Sequence, residues 1–207
     1  MDEIERAASE ALAGNLIVLP TDTVYGIGTR PDDPVATARL FEAKRRPTEL
    51  EFPVLVPTAA EADRLAVFDE RARHLAEAFW PGPLTIVLPR SDASAGWDLG
   101  GDLRTIGVRR PHHLLAMAVL ERTGPLAVTS ANLSGSPPAR TCEELWALFG
   151  DDVAVYLCEE EPLSGTASTV VDLAHGEARI LRPGAVPEDE VLAALEVEPR
   201  RGPSDSP

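Results

Sequence analysis

The sequence predicts an α/β fold, a single domain built on an open twisted mixed sheet with flanking helices. Three observations carry this reading. The chain has 207 residues, enough for one large domain whose core needs no disulfide or metal staple. Short apolar strand runs alternate with capped helical segments along its length. No internal repeat and no clear linker divides it.

The elements follow in order. Residues 2–13 read as a helix, with Ile4, Ala7, Ala8, Ala11 and Leu12 on one face and Gly14 as its stop. Leu16–Leu19 is a short buried-strand run, and residues 20–28 form a loop rich in threonine and glycine. Asp33 caps a second helix with Pro34 in its first turn. This helix is expected to turn Val35, Ala38, Leu40 and Phe41 inward and to end near Lys44. Pro53–Val56 is a strand, Thr58 and Glu61 form a capping box, and Asp69 caps a helix through Phe79. Leu84–Leu88 is a strand, 91–103 a loop, Thr105–Val108 a strand, and 112–122 a helix. Pro125–Val128 is a strand, and a second capping box at Thr141 and Glu144 opens a helix to Phe149. Strands at 153–157, 169–173 and 178–181 precede a last helix over 187–195. The expected division is a domain over 1–186, this C-terminal helix, and a disordered polar tail over 196–207.

Composition narrows the functional class. Hydrophobic residues make up 44% of the chain, which excludes a disordered chain, a collagen and a coiled coil. No apolar run approaches the length of a membrane helix, and the acidic N-terminal stretch lacks the pattern of a signal peptide. A cytoplasmic location with no membrane partner is therefore expected, with Cys142 and Cys158 as reduced thiols. The net charge of −15 argues against a general nucleic-acid binder. The four histidines lack ligand spacing and no metal-ligating cluster is expected. Among 19 basic residues the single lysine, Lys44, sits in the densest basic cluster, Lys44-Arg45-Arg46.

Six segments can carry chemistry. Residues 19–28, LPTDTVYGIG, place the hydroxyls of Thr21 and Thr23 beside Asp22, either as a ligand cradle or as a turn in which Asp22 caps its own backbone. Lys44-Arg45-Arg46-Pro47 is a phosphate or carboxylate clamp or a set of helix-end cations. Residues 79–85, FWPGPLT, read as a rigid turn with Trp80 in the core. Arg109, in TIGVRRP, suits carboxylate capture at a strand end, or a surface ion pair. Ser130, Asn132 and Ser134 in VTSANLSG form a hydrogen-bonding loop, and STVVD at 168–172 precedes LRPG at 181–184. No nucleophile–base pair emerges, so an enzyme built on these residues works by positioning and electrostatics.

In this order the motifs PTDTVYGIG, KRRP, FWPGPLTIVL, TIGVRRP, TSANLSG, STVVDL and ILRPGAV resemble the YrdC/YciO family of threonylcarbamoyl-AMP synthases, over about Leu16 to Gly184. The resemblance implies a concave, positively charged cavity and the conversion of L-threonine, bicarbonate or CO2, and ATP into threonylcarbamoyl-AMP and pyrophosphate. Mg²⁺ accompanies the ATP. Partner proteins then carry the threonylcarbamoyl group to the adenosine beside the anticodon of tRNA, so tRNA binding by this chain is weak or indirect. Carried over by position, Lys44 and Arg46 hold the ATP phosphates as the catalytic cations. Thr105, Ser130, Asn132 and Arg182 contact the nucleotide, and Thr23, Arg109 and Ser168 contact threonine. Leu50 and Leu55 stand where the family commonly has a polar residue and a histidine, and Pro138 where some members have a serine. Two alternatives accompany this reading: a YciO-like paralogue acting on another substrate, and an RNA-binding module.

Overall fold

The computed structural model describes residues 2–163 and 165–196. Nine strands form one sheet: β1 (Leu16–Leu19), β2 (Gly26–Thr29), β3 (Val54–Leu55), β4 (Leu84–Pro89), β5 (Thr105–Arg109), β6 (Leu126–Ser130), β7 (Val153–Tyr156), β8 (Thr169–Asp172) and β9 (Arg179–Arg182). Their order is β7-β1-β2-β6-β3-β5-β4-β8-β9. The pairs β1/β7, β3/β5 and β4/β8 are parallel and the others antiparallel, so the sheet is mixed as the alternation of elements predicts.

The helices are α1 (Glu3–Leu12), α2 (Pro34–Lys44), α3 (Ala59–Leu65), α4 (Glu70–Phe79), α5 (Leu114–Thr123), α6 (Cys142–Phe149) and α7 (Glu188–Leu195). The expected N-cap side chains engage, but the boxes expected at Thr58/Glu61 and Thr141/Glu144 do not close, because Glu61 accepts from Arg64 and Glu144 accepts the Arg140 N–H. Asp33, Thr58, Asp69 and Thr141 each accept a first-turn backbone N–H, and Asp2 and Glu5 make a reciprocal capping box on α1.

Period-2 geometry sends alternate side chains to opposite faces of the sheet. On β1, Leu16 and Val18 join the larger core, while Ile17 and Leu19 join a second cluster with Ala7 and Ala11 of α1 and Val119 and Leu120 of α5. Burial on both faces explains the uninterrupted apolar run of this strand. The rest of that second face is different. On β4, Leu84 and Ile86 enter the larger core, but Thr85 and Val87 line an open cavity. On β5, Ile106 and Val108 are core, whereas Gly107 and Arg109 line the cavity. Leu55 belongs to the α1/α5 cluster and to the cavity wall, marking where the helical cover stops.

Three further sequence expectations need correction. Residues 26–29 form β2 instead of loop, because Gly26 and Gly28 let β6 approach closely. A Cβ on Gly28 would stand 2.4 Å from the Ala127 carbonyl oxygen. In α2 the inward face is Ala36, Thr37, Leu40, Phe41 and Lys44, while Val35 and Ala38 are exposed. Cys142 and Cys158 are disulfide-bonded, since α6 starts beside the end of β7 and brings their Cα atoms to 5.9 Å. The expected last helix forms as α7 and packs Val191 into the larger core. The tail expected to be disordered lies, from residue 197 on, outside the described residues. No helix among the described residues is long and apolar enough to cross a membrane.

Candidate functional site

The uncovered half of the sheet face floors a cavity of about 370 Å³, within the size range of small-ligand sites. Its walls are the 21–26 turn, the segment from Arg46 to Pro53, the end of β6, the residues entering β8, and the end of β9. Thr23, Arg46, Arg109, Ser130, Ser168 and Arg182 all line it. Sequence positions up to 159 apart therefore meet because the strand order brings the ends of β4, β5, β6, β8 and β9 together.

Arg109 is the most constrained of these groups. Its Nε donates to the Gly82 carbonyl at 3.0 Å, its Nη1 to Thr23 Oγ1 at 3.0 Å, and its Nη2 to Asp22 Oδ1 at 2.6 Å. One guanidinium thus joins the threonine-rich turn, the FWPGP turn and the end of β5. The ion pair is buried, which decides against the surface-pair reading, and Asp22 does not cap its own turn; it accepts the His112 N–H at 3.0 Å. Trp80 packs against the core as expected and donates Nε1–H to the Leu84 carbonyl at 2.7 Å.

At the other end Arg182 donates Nε and Nη2 to the Ser168 carbonyl at 3.1 and 2.8 Å, and Nη2 to Ser168 Oγ at 3.0 Å. Ser168 Oγ also pairs with Thr85 Oγ1 at 3.0 Å. Arg46 donates to the carbonyls of Leu50 (3.2 Å) and Glu51 (3.1 Å) and stacks over Phe52 at 5.3 Å. Burial lowers the proton affinity of all three arginines, and Arg182 adds to the effect on Arg46 and Arg109. Guanidinium nevertheless remains charged. A chain of net charge −15 therefore presents a locally cationic cavity, an electrostatic well for a small anion.

Three expected site residues stand behind the walls. Lys44 is buried, and its ammonium donates to the carbonyls of Ser130 and Asn132, the latter at 2.7 Å. Burial, reinforced by Arg46, pushes its pKa down to about 7. Asn132 accepts from Ser130 Oγ at 2.6 Å and donates to the Leu133 and Ser136 carbonyls, so it shapes the loop. Thr105 donates to the Asp102 carbonyl (3.2 Å) and to Glu51 (3.4 Å) instead of entering the cavity.

Sequence reasoning assigned no site role to Asp22, Thr85 or Glu51. Asp22 lies inside a singled-out motif that is open to a cradle or a turn-cap reading, and its partner Arg109 is 87 residues away. Thr85 carried a signal in its alternation with Leu84 and Ile86. Glu51 had no local signal. Burial raises its carboxyl to about 7 even though Arg90 lies 3.5 Å away.

Fold and site together define a single-domain α/β protein with an arginine- and hydroxyl-lined cavity on one face of its sheet. Residues 10–184 match the Sua5/YciO/YrdC family model, which carries the description "Telomere recombination", and the chain belongs to this family. The threonylcarbamoyl-AMP synthase of Vibrio parahaemolyticus is 34% identical over 191 residues, covering 89% of this chain and all of that one. The structure of Pyrococcus abyssi Sua5 complexed with L-threonine superposes with a TM-score of 0.85 at 33% identity, over 95% of this chain and 58% of that one. The structure of Escherichia coli YciO superposes with a TM-score of 0.80 at 27% identity, over 87% and 88% of the two chains.

Proposed function

We propose that the protein is a threonylcarbamoyl-AMP synthase, forming L-threonylcarbamoyl-AMP and pyrophosphate from L-threonine, bicarbonate or CO2, and ATP. The observation that carries the reading is the convergence of Arg46, Arg109 and Arg182 with the hydroxyls of Thr23, Ser130 and Ser168 on one cavity. The synthase name of a relative matched along its whole length supports it.

The chemistry suits this inventory. Among the described residues three of the five N–H groups of Arg109 are used within the protein, leaving two for the carboxylate of threonine. Thr23 and Ser168 offer hydroxyl oxygens to the amino acid. The neutral amine adds to CO2 and gives up a proton to solvent (bicarbonate reaches the same carbamate with loss of water), and an oxygen of the carbamate attacks the α-phosphorus of ATP as pyrophosphate leaves. Arg46 and Arg182 bind the phosphates and offset the charge that builds on them, with Ser130 beside the nucleotide. Lys44 and Asn132 act through the loop they hold, and Thr105 through Glu51. Mg²⁺ enters with the substrate as MgATP. Alignment of reactants and fixed positive charge are all the protein must supply, so no protein nucleophile is needed. Partner proteins would carry the product to tRNA in the cytoplasm.

The test is pyrophosphate release with MgATP, bicarbonate and L-threonine, with the adduct identified by mass spectrometry and serine and glycine as controls. Threonine-dependent release that Arg46→Ala largely abolishes without unfolding is the expected result. Release with another amine but none with threonine would make the chain a paralogue with a different substrate. No release with any amine would overturn the reading.

A further inference from the structure

We infer that Asp22 is a positioning residue, which sets the orientation of the Arg109 guanidinium so that its two unused N–H groups face the cavity. The inference rests on the carboxylate-binding role proposed above for Arg109. Asp22 lies in the turn between β1 and β2, whereas Arg109 ends β5, and β6 and β3 stand between β2 and β5 in the sheet. The turn therefore reaches across two strands to make this contact. β3, only two residues long, pairs Leu55 with Arg109.

A planar guanidinium is fully oriented by acceptors on two sides. The Gly82 carbonyl takes Nε–H, and the Asp22 carboxylate takes Nη2–H in the shortest of the three bonds. Thr23 Oγ1 takes one Nη1–H, which leaves, among the described residues, one N–H without a partner on each terminal nitrogen. Asp22 is itself held, because the same Oδ1 accepts the His112 backbone N–H at the start of α5. Its other oxygen, Oδ2, is buried and accepts from no group among the described residues. Both contacts of the carboxylate thus run through one oxygen, and the position of that oxygen determines where the guanidinium lies. Asp22 does not line the cavity, so it acts through Arg109 and not on the substrate.

Position and charge are separable by substitution. Asparagine keeps an acceptor at Oδ1 and removes the charge. Glutamate keeps the charge and moves the acceptor by a methylene. Alanine removes both. Calorimetric titration of L-threonine in the presence of a non-hydrolysable ATP analogue should give a dissociation constant within about threefold of wild type for Asp22→Asn. It should be raised about tenfold for Asp22→Glu and Asp22→Ala, the scale of one well-placed charged hydrogen bond. Affinity for the nucleotide analogue alone should stay within about twofold in all three. Unchanged threonine affinity in every variant would overturn the inference. So would a parallel loss of threonine and nucleotide affinity, or an Asn variant as weak as Ala beside a wild-type-like Glu variant. If the alanine variant does not fold, the Asn and Glu pair decides alone. If the wild type binds no threonine, the role proposed for Arg109 fails by itself. Crystal structures of wild type and Asp22→Glu then decide the inference: a displaced guanidinium supports it and an unmoved one overturns it.

Discussion

The Lys44 ammonium lies 2.7 Å from the backbone carbonyl oxygen of Asn132 and 3.4 Å from its side-chain Oδ1, with the Ser130 carbonyl as a third acceptor. A helix C-terminus and a loop 88 residues away are thereby pinned together. This accounts for the single lysine in a chain of arginines: an ammonium offers three donors around a point, where a guanidinium offers a flat fork. Lys44→Met retains the stem and strands the acceptors. It should cost about 2–3 kcal/mol, the scale of buried polar groups left unpaired, read by urea denaturation. Lys44→Arg should fail to restore the loss.

Glu51 makes stability depend on pH in a definite direction. Its folded carboxyl, raised by burial, titrates at about 7 against an ordinary value of 4.5. Between those values the folded state holds more protons than the unfolded state, so its contribution is complete below the window and is lost as pH rises through it. Glu51→Gln should remove this decline. The difference between the two stability profiles should change by on the order of 3 kcal/mol between pH 4.5 and 7. Parallel profiles would contradict this assignment.

Gly184 sets the approach of the chain to Ser168. A Cβ there would meet the Ser168 carbonyl carbon at 2.4 Å and the Thr169 nitrogen at 2.5 Å, backbone atoms that cannot yield cheaply. Gly184→Ala should therefore destabilise the protein by about 2 kcal/mol or more. It should also weaken substrate binding, because Ser168 and Arg182 meet at this point. Thermal unfolding and threonine titration read the two effects.

The Cys142–Cys158 bond spans a sequence separation of 16. On loop entropy, reduction should lower stability by about 3 kcal/mol. Denaturation with and without reductant tests this, with Cys142→Ser/Cys158→Ser as a variant indifferent to reductant. Two free thiols in the untreated protein would contradict the pairing.

Local chemistry was strong enough to be read along the chain. The apolar runs of β1 and β4, the Asp and Thr caps of α2, α3, α4 and α6, and the motifs ending in Arg109 and Arg182 all announce themselves over a few residues, because propensity, capping and period-2 burial act over that range. Six of the expected site residues do share one cavity. What tertiary structure alone decided depends on partners far away in sequence. Lys44 turns into a loop 88 residues distant, β2 exists because Gly26 and Gly28 accept β6, and Cys142 meets Cys158 because α6 and β7 are neighbours. Asp22 gains its role from Arg109 across two strands, and Glu51 its raised carboxyl from burial. Hydrogen-bond reach and desolvation are set by distance in space, and sheet order, which no local pattern encodes, sets that distance.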